Sequence, residues 1–145
     1  MGKLSGALLA LLIAAPALAA DSRQMVSMPA MMQEHMLSSM RDHLDVLNQI
    51  LADIAAEKFM EASKLAESRL GTSSYGLHDS KHMAGFMPEG MQAAGNALHR
   101  AASRFALVAE EVDLDRSYAG MKRLSGALNE MTAACSACHA GYRIR

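Results

Sequence analysis

The sequence contains no tryptophan and only three prolines, and aromatic residues make up 4% of it. No run of alternating β-branched residues bounded by turn pairs appears, which argues against a core built from sheets. Cysteine occurs twice, both times inside one short motif, so no structural disulfide is available to the chain. Charge of either sign is also scarce in excess: 14 Lys and Arg against 15 Asp and Glu give a net charge of -1. That balance gives no support to nucleic-acid binding, which usually shows a basic stripe. No apolar run reaches the ~20 residues needed to span a bilayer. What is abundant is Ala, Leu and Met, with 13 methionines, a composition suited to helices.

The first residues set the compartment. Lys3 precedes an apolar run from Leu4 to Ala15, and Ala17-Leu18-Ala19 forms an A-x-A cleavage site. Residues 1–19 read as a cleavable signal peptide, with cleavage after Ala19 and export to a periplasm. Residues 20–145 then form one domain, with a net charge near -2 once Lys3 is removed.

Four helical segments follow. The first begins just after Pro29, which suits the first helical position, and runs to about Ala56, with Met36, Met40, His43, Leu47, Ile50 and Ile54 in a 4-3-4-3-4 seam. A second, from about Glu57 to Leu70, turns Phe59, Ala62, Ala66 and Leu70 inward and is closed by Gly71 as a C-cap. A loop from Thr72 to Met87 has room for a short helical turn. Pro88-Glu89 opens the third helix, whose face is Met91, Ala94, Leu98, Ala101, Phe105, Val108 and Val112, and Asp113 to Asp115 supply the break and a cap. In the fourth, Met121, Leu124, Leu128, Met131, Cys135, Cys138 and Tyr142 repeat at 3-4-3-4-3-4. Short connections between helices favour antiparallel neighbours, so the expected fold is all-α, an up-down four-helix bundle. The end of the fourth helix then lies beside the start of the first.

Chemistry concentrates at the end of that last seam. Cys135-Ser136-Ala137-Cys138-His139 is the C-x-x-C-H signature of covalent haem c attachment, in which two thiols add to porphyrin vinyl groups and the imidazole binds iron. On a helix, Cys135, Cys138 and His139 project from one side. A thioredoxin-like redox pair would need a βαβ context, and half a zinc site would need further ligands nearby; neither is visible. Because both cysteines continue the apolar seam, a haem attached there would be carried into the bundle interior.

The extended motif, Cys135-Ser136-Ala137-Cys138-His139-Ala140-Gly141-Tyr142-Arg143, resembles the C-terminal C-x-x-C-H-x-x-[YF]-R of the cytochrome c′ family, the class II c-type cytochromes. Four helical seams and a signal peptide extend the likeness to the rest of the chain. The resemblance implies a bundle with one covalent haem c, His139 as proximal iron ligand, and Tyr142 and Arg143 in the haem environment. In the five-coordinate branch, the position opposite is apolar and the iron binds small gases such as NO or CO. In the low-spin cytochrome c-556 branch, to which this chain is closer, a methionine stands there, and matching Met40-Arg41-Asp42-His43 and Ala56-Glu57-Lys58 to that pattern puts Met40 at the ligand position. Met36, His43 and His35 are the other candidates. A His/Met pair raises the reduction potential, so the expected function is one-electron transfer with redox partner proteins. The resemblance also leaves room for a homodimer.

Other features carry weaker signals. Met25, Met28, Met31, Met32, Met36 and Met40 crowd one stretch, and such thioethers could handle Cu(I), although no compact M-x-M array appears. His78 and His82 stand at i, i+4, with Met83 and Met87 close by, but a solvated loop is the favoured reading over a metal site. His99 reads as a boundary residue, with a haem-propionate contact as the alternative. Glu110, Glu111, Asp113 and Asp115 read as a solvated turn. No nucleophile-base pair or paired carboxylates can be placed near the motif, so an enzyme is not expected.

Overall fold

The computed structural model describes residues 20–77 and 80–145. The signal peptide expected over residues 1–19, and His78, lie outside the described residues. The chain is predominantly helical, an all-α bundle: α1 spans Ala30–Ala55, α2 Phe59–Arg69, α3 Ser80–Ala84, α4 Glu89–Leu114 and α5 Tyr118–Gly141. No described helix is long and apolar enough to cross a membrane. Two short strands, β1 (Gln24–Met25) and β2 (Tyr142–Arg143), were not expected from the sequence. Two residues per strand leave no alternating pattern to read.

Side chains fix the direction of each helix against the next. Arg69 near the end of α2 pairs with Asp42 in the first half of α1, while Ala56–Lys58 joins the near ends. Between α2 and α4, Ser63 donates to Glu110 at 3.0 Å and His99 reaches the carbonyl of Leu70 at 2.7 Å. Arg104 meets Glu130 at 3.1 Å, and Arg123 meets Glu111 at 3.8 Å, between α4 and α5. Along each pair of neighbours, later residues of one helix meet earlier residues of the next, Glu111 with Arg123 and Arg104 with Glu130 for α4 and α5, so the helices run antiparallel. β1 and β2 pair in parallel, Gln24 opposite Tyr142 and Met25 opposite Arg143, which sets the approach to α1 beside the end of α5.

Two apolar clusters hold the bundle. The larger one joins Val46 and Ile50 of α1, Phe59, Ala62 and Ala66 of α2, Ala101, Phe105 and Val112 of α4, and Leu124 and Met131 of α5. Alanines at the α2–α4 contact let those backbones approach closely around Phe105, which is fully buried and contributes on the order of 2–3 kcal/mol. The smaller cluster sits at the end of the bundle where α1 begins and α5 ends: Val26, Met28, Met32, Met83 and Met91 are buried there.

The inward faces expected for α2 and α4 agree with the burial, except that Ala94 and Val108 are only half-buried. On α1 the buried positions are Met32, Val46, Ile50 and Asp53; the expected seam residue Ile54 is half-buried near the helix end, and the other four, Met36, Met40, His43 and Leu47, are half-buried too. Their reason is common to all four, since they border a cavity. Three helix ends also differ from expectation. Gly71 is extended, at φ -73° and ψ -176°, and Leu70 is the C-cap of α2. Glycine is required there because a Cβ would stand 2.7 Å from the carbonyl oxygen of Glu67. α4 runs through Asp113 to Leu114 with Asp115, inside the expected break, as its C-cap, while the N-cap of α5 is Ser117, whose hydroxyl accepts from Gly120 N–H at 3.0 Å. α5 stops at Gly141, so Tyr142 lies on β2 and not on the helical seam.

Candidate cofactor site

A cavity of about 760 Å³ opens between α1, α4 and α5, with α3 at one edge. Its size falls in the range of ligand and cofactor sites. The α5 wall presents Met131, Ala134, Cys135, Cys138 and His139, three of which are the motif residues. Facing them, α1 contributes Met36, Leu37, Met40, His43, Leu44 and Leu47, with His35 at the rim. The position of α5 explains this arrangement: its apolar seam enters the main core at Leu124 and Met131, and the same seam, continued, leaves the cysteines half-buried where the cavity begins.

Both cysteines are free thiols. Burial pushes the Cys135 thiol up from the ordinary 9.0 and outweighs the opposing backbone hydrogen bond. Burial likewise raises Cys138, with the neighbouring Cys135 adding to it. At neutral pH the pair is therefore protonated and not poised as a redox nucleophile. The two thiols pack differently: Cys135 lies against the main core and donates to the carbonyl of Met131 at 3.6 Å, while Cys138 lies against the methionine cluster. His139 is exposed at the mouth.

The residues present fit a covalently attached haem on three observations. Two free thiols and an imidazole share one cavity wall, the lining is mainly apolar with thioethers opposite, and one guanidinium atom at the mouth, Arg143 Nε, is buried without a hydrogen-bond partner. That nitrogen has only an ion-pair distance of 3.4 Å to Asp21. Asp21 itself is held well below the usual carboxylate range, chiefly by hydrogen bonds from Arg23. Tyr142 also lines the cavity, and its hydroxyl occupies the space that a Cβ at Gly90 would fill.

Other sequence candidates separate under the same inspection. His99 is buried, not a boundary residue: its Nδ1 donates to the Leu70 carbonyl, and its ring meets Tyr75 at 4.6 Å between centroids. His82 is exposed on α3, edge-on to Phe86. Among the described residues, no group of three or more His, Cys, Asp or Glu is disposed to hold a metal ion. The methionines of the N-terminal stretch divide rather than converge, with Met28 and Met32 buried, Met36 and Met40 on the cavity, and Met25 and Met31 exposed. Asp21, Arg23 and Tyr75 were missed by the sequence reading. Nothing in the sequence marks Asp21, because its partner Arg143 stands at the opposite end of the chain.

No family model matches this chain, and neither a curated protein nor a solved structure matches it.

Proposed function

We propose that this chain is an exported, single-haem c-type cytochrome that transfers one electron at a time, with no substrate chemistry of its own. What supports the reading is one observation: the C-x-x-C-H residues and two candidate thioether ligands line opposite walls of the same cavity. Cys135 and Cys138 would hold the haem covalently, and His139 and Met40 would ligate its iron. When bound, the group supplies the Fe(III)/Fe(II) couple. The side chains do the rest. Leu47, Leu98 and Met131 would exclude water, which would lower the reorganisation that accompanies a change of charge. A thioether from Met40 favours the reduced state relative to a second imidazole. Arg143, half-buried beside the site, adds a fixed positive charge that favours reduction as well.

Gas binding is the second reading, favoured by the apolar side chains of Leu37, Leu44 and Leu47 on the α1 wall. Copper handling gains no such support, because the methionines of the arm are divided between the small cluster, the cavity and solvent. Redox partner proteins complete the proposal, with a homodimer compatible with it; the periplasm is the expected compartment.

The full precursor, produced in a bacterium with an active haem-attachment system, is expected to carry one haem that stays bound through denaturing electrophoresis. Cys135→Ala with Cys138→Ala is expected to abolish that retention. A purified wild-type chain with no haem would end the proposal.

A further inference from the structure

The segment from Asp21 to Met28 lies across the end of α5 instead of trailing into solvent. Three kinds of contact hold it. β1 pairs with β2, and the N–H of Val26 donates to the carbonyl of Arg143 at 2.8 Å. Asp21 accepts from Arg23 at 2.7 Å and stands 3.4 Å from Arg143. Val26 and Met28 are buried, 4% and 7% exposed, in the small cluster against which Cys138, Tyr142 and Ile144 pack. Gln33 donates to the carbonyl of Met28 at 3.2 Å and fixes the turn into α1.

The two motif thiols therefore sit under different roofs. Cys135 is covered by the main core, which the strap does not touch, whereas Cys138 is covered by the cluster to which the strap contributes Val26 and Met28. A strand pair of two residues is marginal by itself, and the ion pairs are partly exposed and screened by solvent. Such a segment opens locally while the bundle stays folded.

We propose that residues 21–28 are a latch on the second motif cysteine: lifted, the strap further exposes Cys138 alone; closed, it holds Cys138 half-buried and fixes the path of residues 142–144 past His139. The latch stands on packing alone. Its consequence, that the strap must be open while haem is attached at Cys138 and shuts afterwards, rests on the function proposed above.

Labelling of the haem-free mature chain with N-ethylmaleimide, read site by site by mass spectrometry, separates the two. Val26→Pro removes the donor to Arg143, and Asp21→Asn removes the ion pair but keeps the strand. A chain beginning at Pro29 removes the strap altogether. In Val26→Pro and in the shortened chain, Cys138 is expected to label on the order of tenfold faster than in wild type, with Cys135 unchanged and helicity retained. Asp21→Asn should give a smaller change of the same sign. Equal acceleration of both thiols, or an unchanged Cys138 rate in helical Val26→Pro, would overturn the latch whether or not haem is ever bound. If the shortened chain loses its helicity, the Val26→Pro ratio decides. Selective acceleration in a protein that never acquires haem would uphold the latch and refute the haem reading.

Discussion

His99 shows how one residue's role escapes the sequence. Set between Leu98 and Arg100, it falls on the edge of a helical stripe and reads as half-exposed. The structure buries it because the chain leaving α2 passes over α4 at that point and offers the Leu70 carbonyl at 2.7 Å, the Gly71 carbonyl at 3.2 Å and the Ser74 hydroxyl at 3.3 Å. An acceptor that close requires the proton on Nδ1, which fixes the tautomer. His99→Leu keeps most of the volume and loses these bonds. It is expected to destabilise the protein by about 1–3 kcal/mol in urea titration; a change under about 0.5 kcal/mol, the range of neutral surface substitutions, would contradict the role. Cys135, Cys138 and His139 lie at the other extreme. Their spacing alone marks them as candidates, since a local motif on a helix needs no tertiary information.

At the scale of elements, helix interiors were legible and helix ends less so. Periodicity is repeated several times along α4 and α5, so one ambiguous residue changes little, whereas an end is decided by one or two backbone conformations. The end of α1 is the clearest case. Glu57 adopts φ 58°, its N–H donates to Ile54 at 3.0 Å, and Lys58 N–H donates to Asp53 at 2.8 Å. These are the two bonds of a Schellman cap, at a position where glycine is the usual residue. Glutamate there carries the steric cost of the left-handed region. Its carboxylate does reach Arg116 at 3.1 Å, but both partners are exposed and the pair is worth little. Glu57→Gly is expected to stabilise the protein by roughly 0.5–1 kcal/mol, seen as a higher urea midpoint with unchanged slope. A lower midpoint would mean that the Arg116 pair outweighs the backbone. Gly71 illustrates the reverse error: glycine after a helix suggested a left-handed cap, yet it serves close approach to Glu67.

For the whole molecule, the bundle and the side-by-side placement of the α1 start and α5 end followed from seams and short connections. The cavity did not. A sequence pattern marks which residues avoid water, and residues that line a cofactor cavity follow the same 3-4 spacing as residues packed against protein. Met36, Met40, His43 and Leu47 were placed on the inward seam of α1, with Met40, Met36 and His43 as candidate iron ligands, and half-burial at the cavity is what separates them from packed core. The strap was equally hidden, because β1 and β2 lie at opposite ends of the chain and are too short to carry a pattern. What the cavity adds to the motif is a second wall: α1 brings Met36 and Met40 to the cavity that His139 also lines, and the proposed function turns on which of them, if either, would ligate the iron.

The most direct test is the absorption spectrum of the reduced protein, with and without carbon monoxide, for wild type and Met40→Ala. The expected result is a narrow low-spin α-band in wild type that carbon monoxide leaves unchanged, and a Met40→Ala spectrum that shifts at once on adding the gas. A broad high-spin wild-type spectrum that responds immediately to carbon monoxide would contradict electron transfer through a Met40-ligated haem and favour gas binding. A low-spin band that survives Met40→Ala would take the ligand away from Met40.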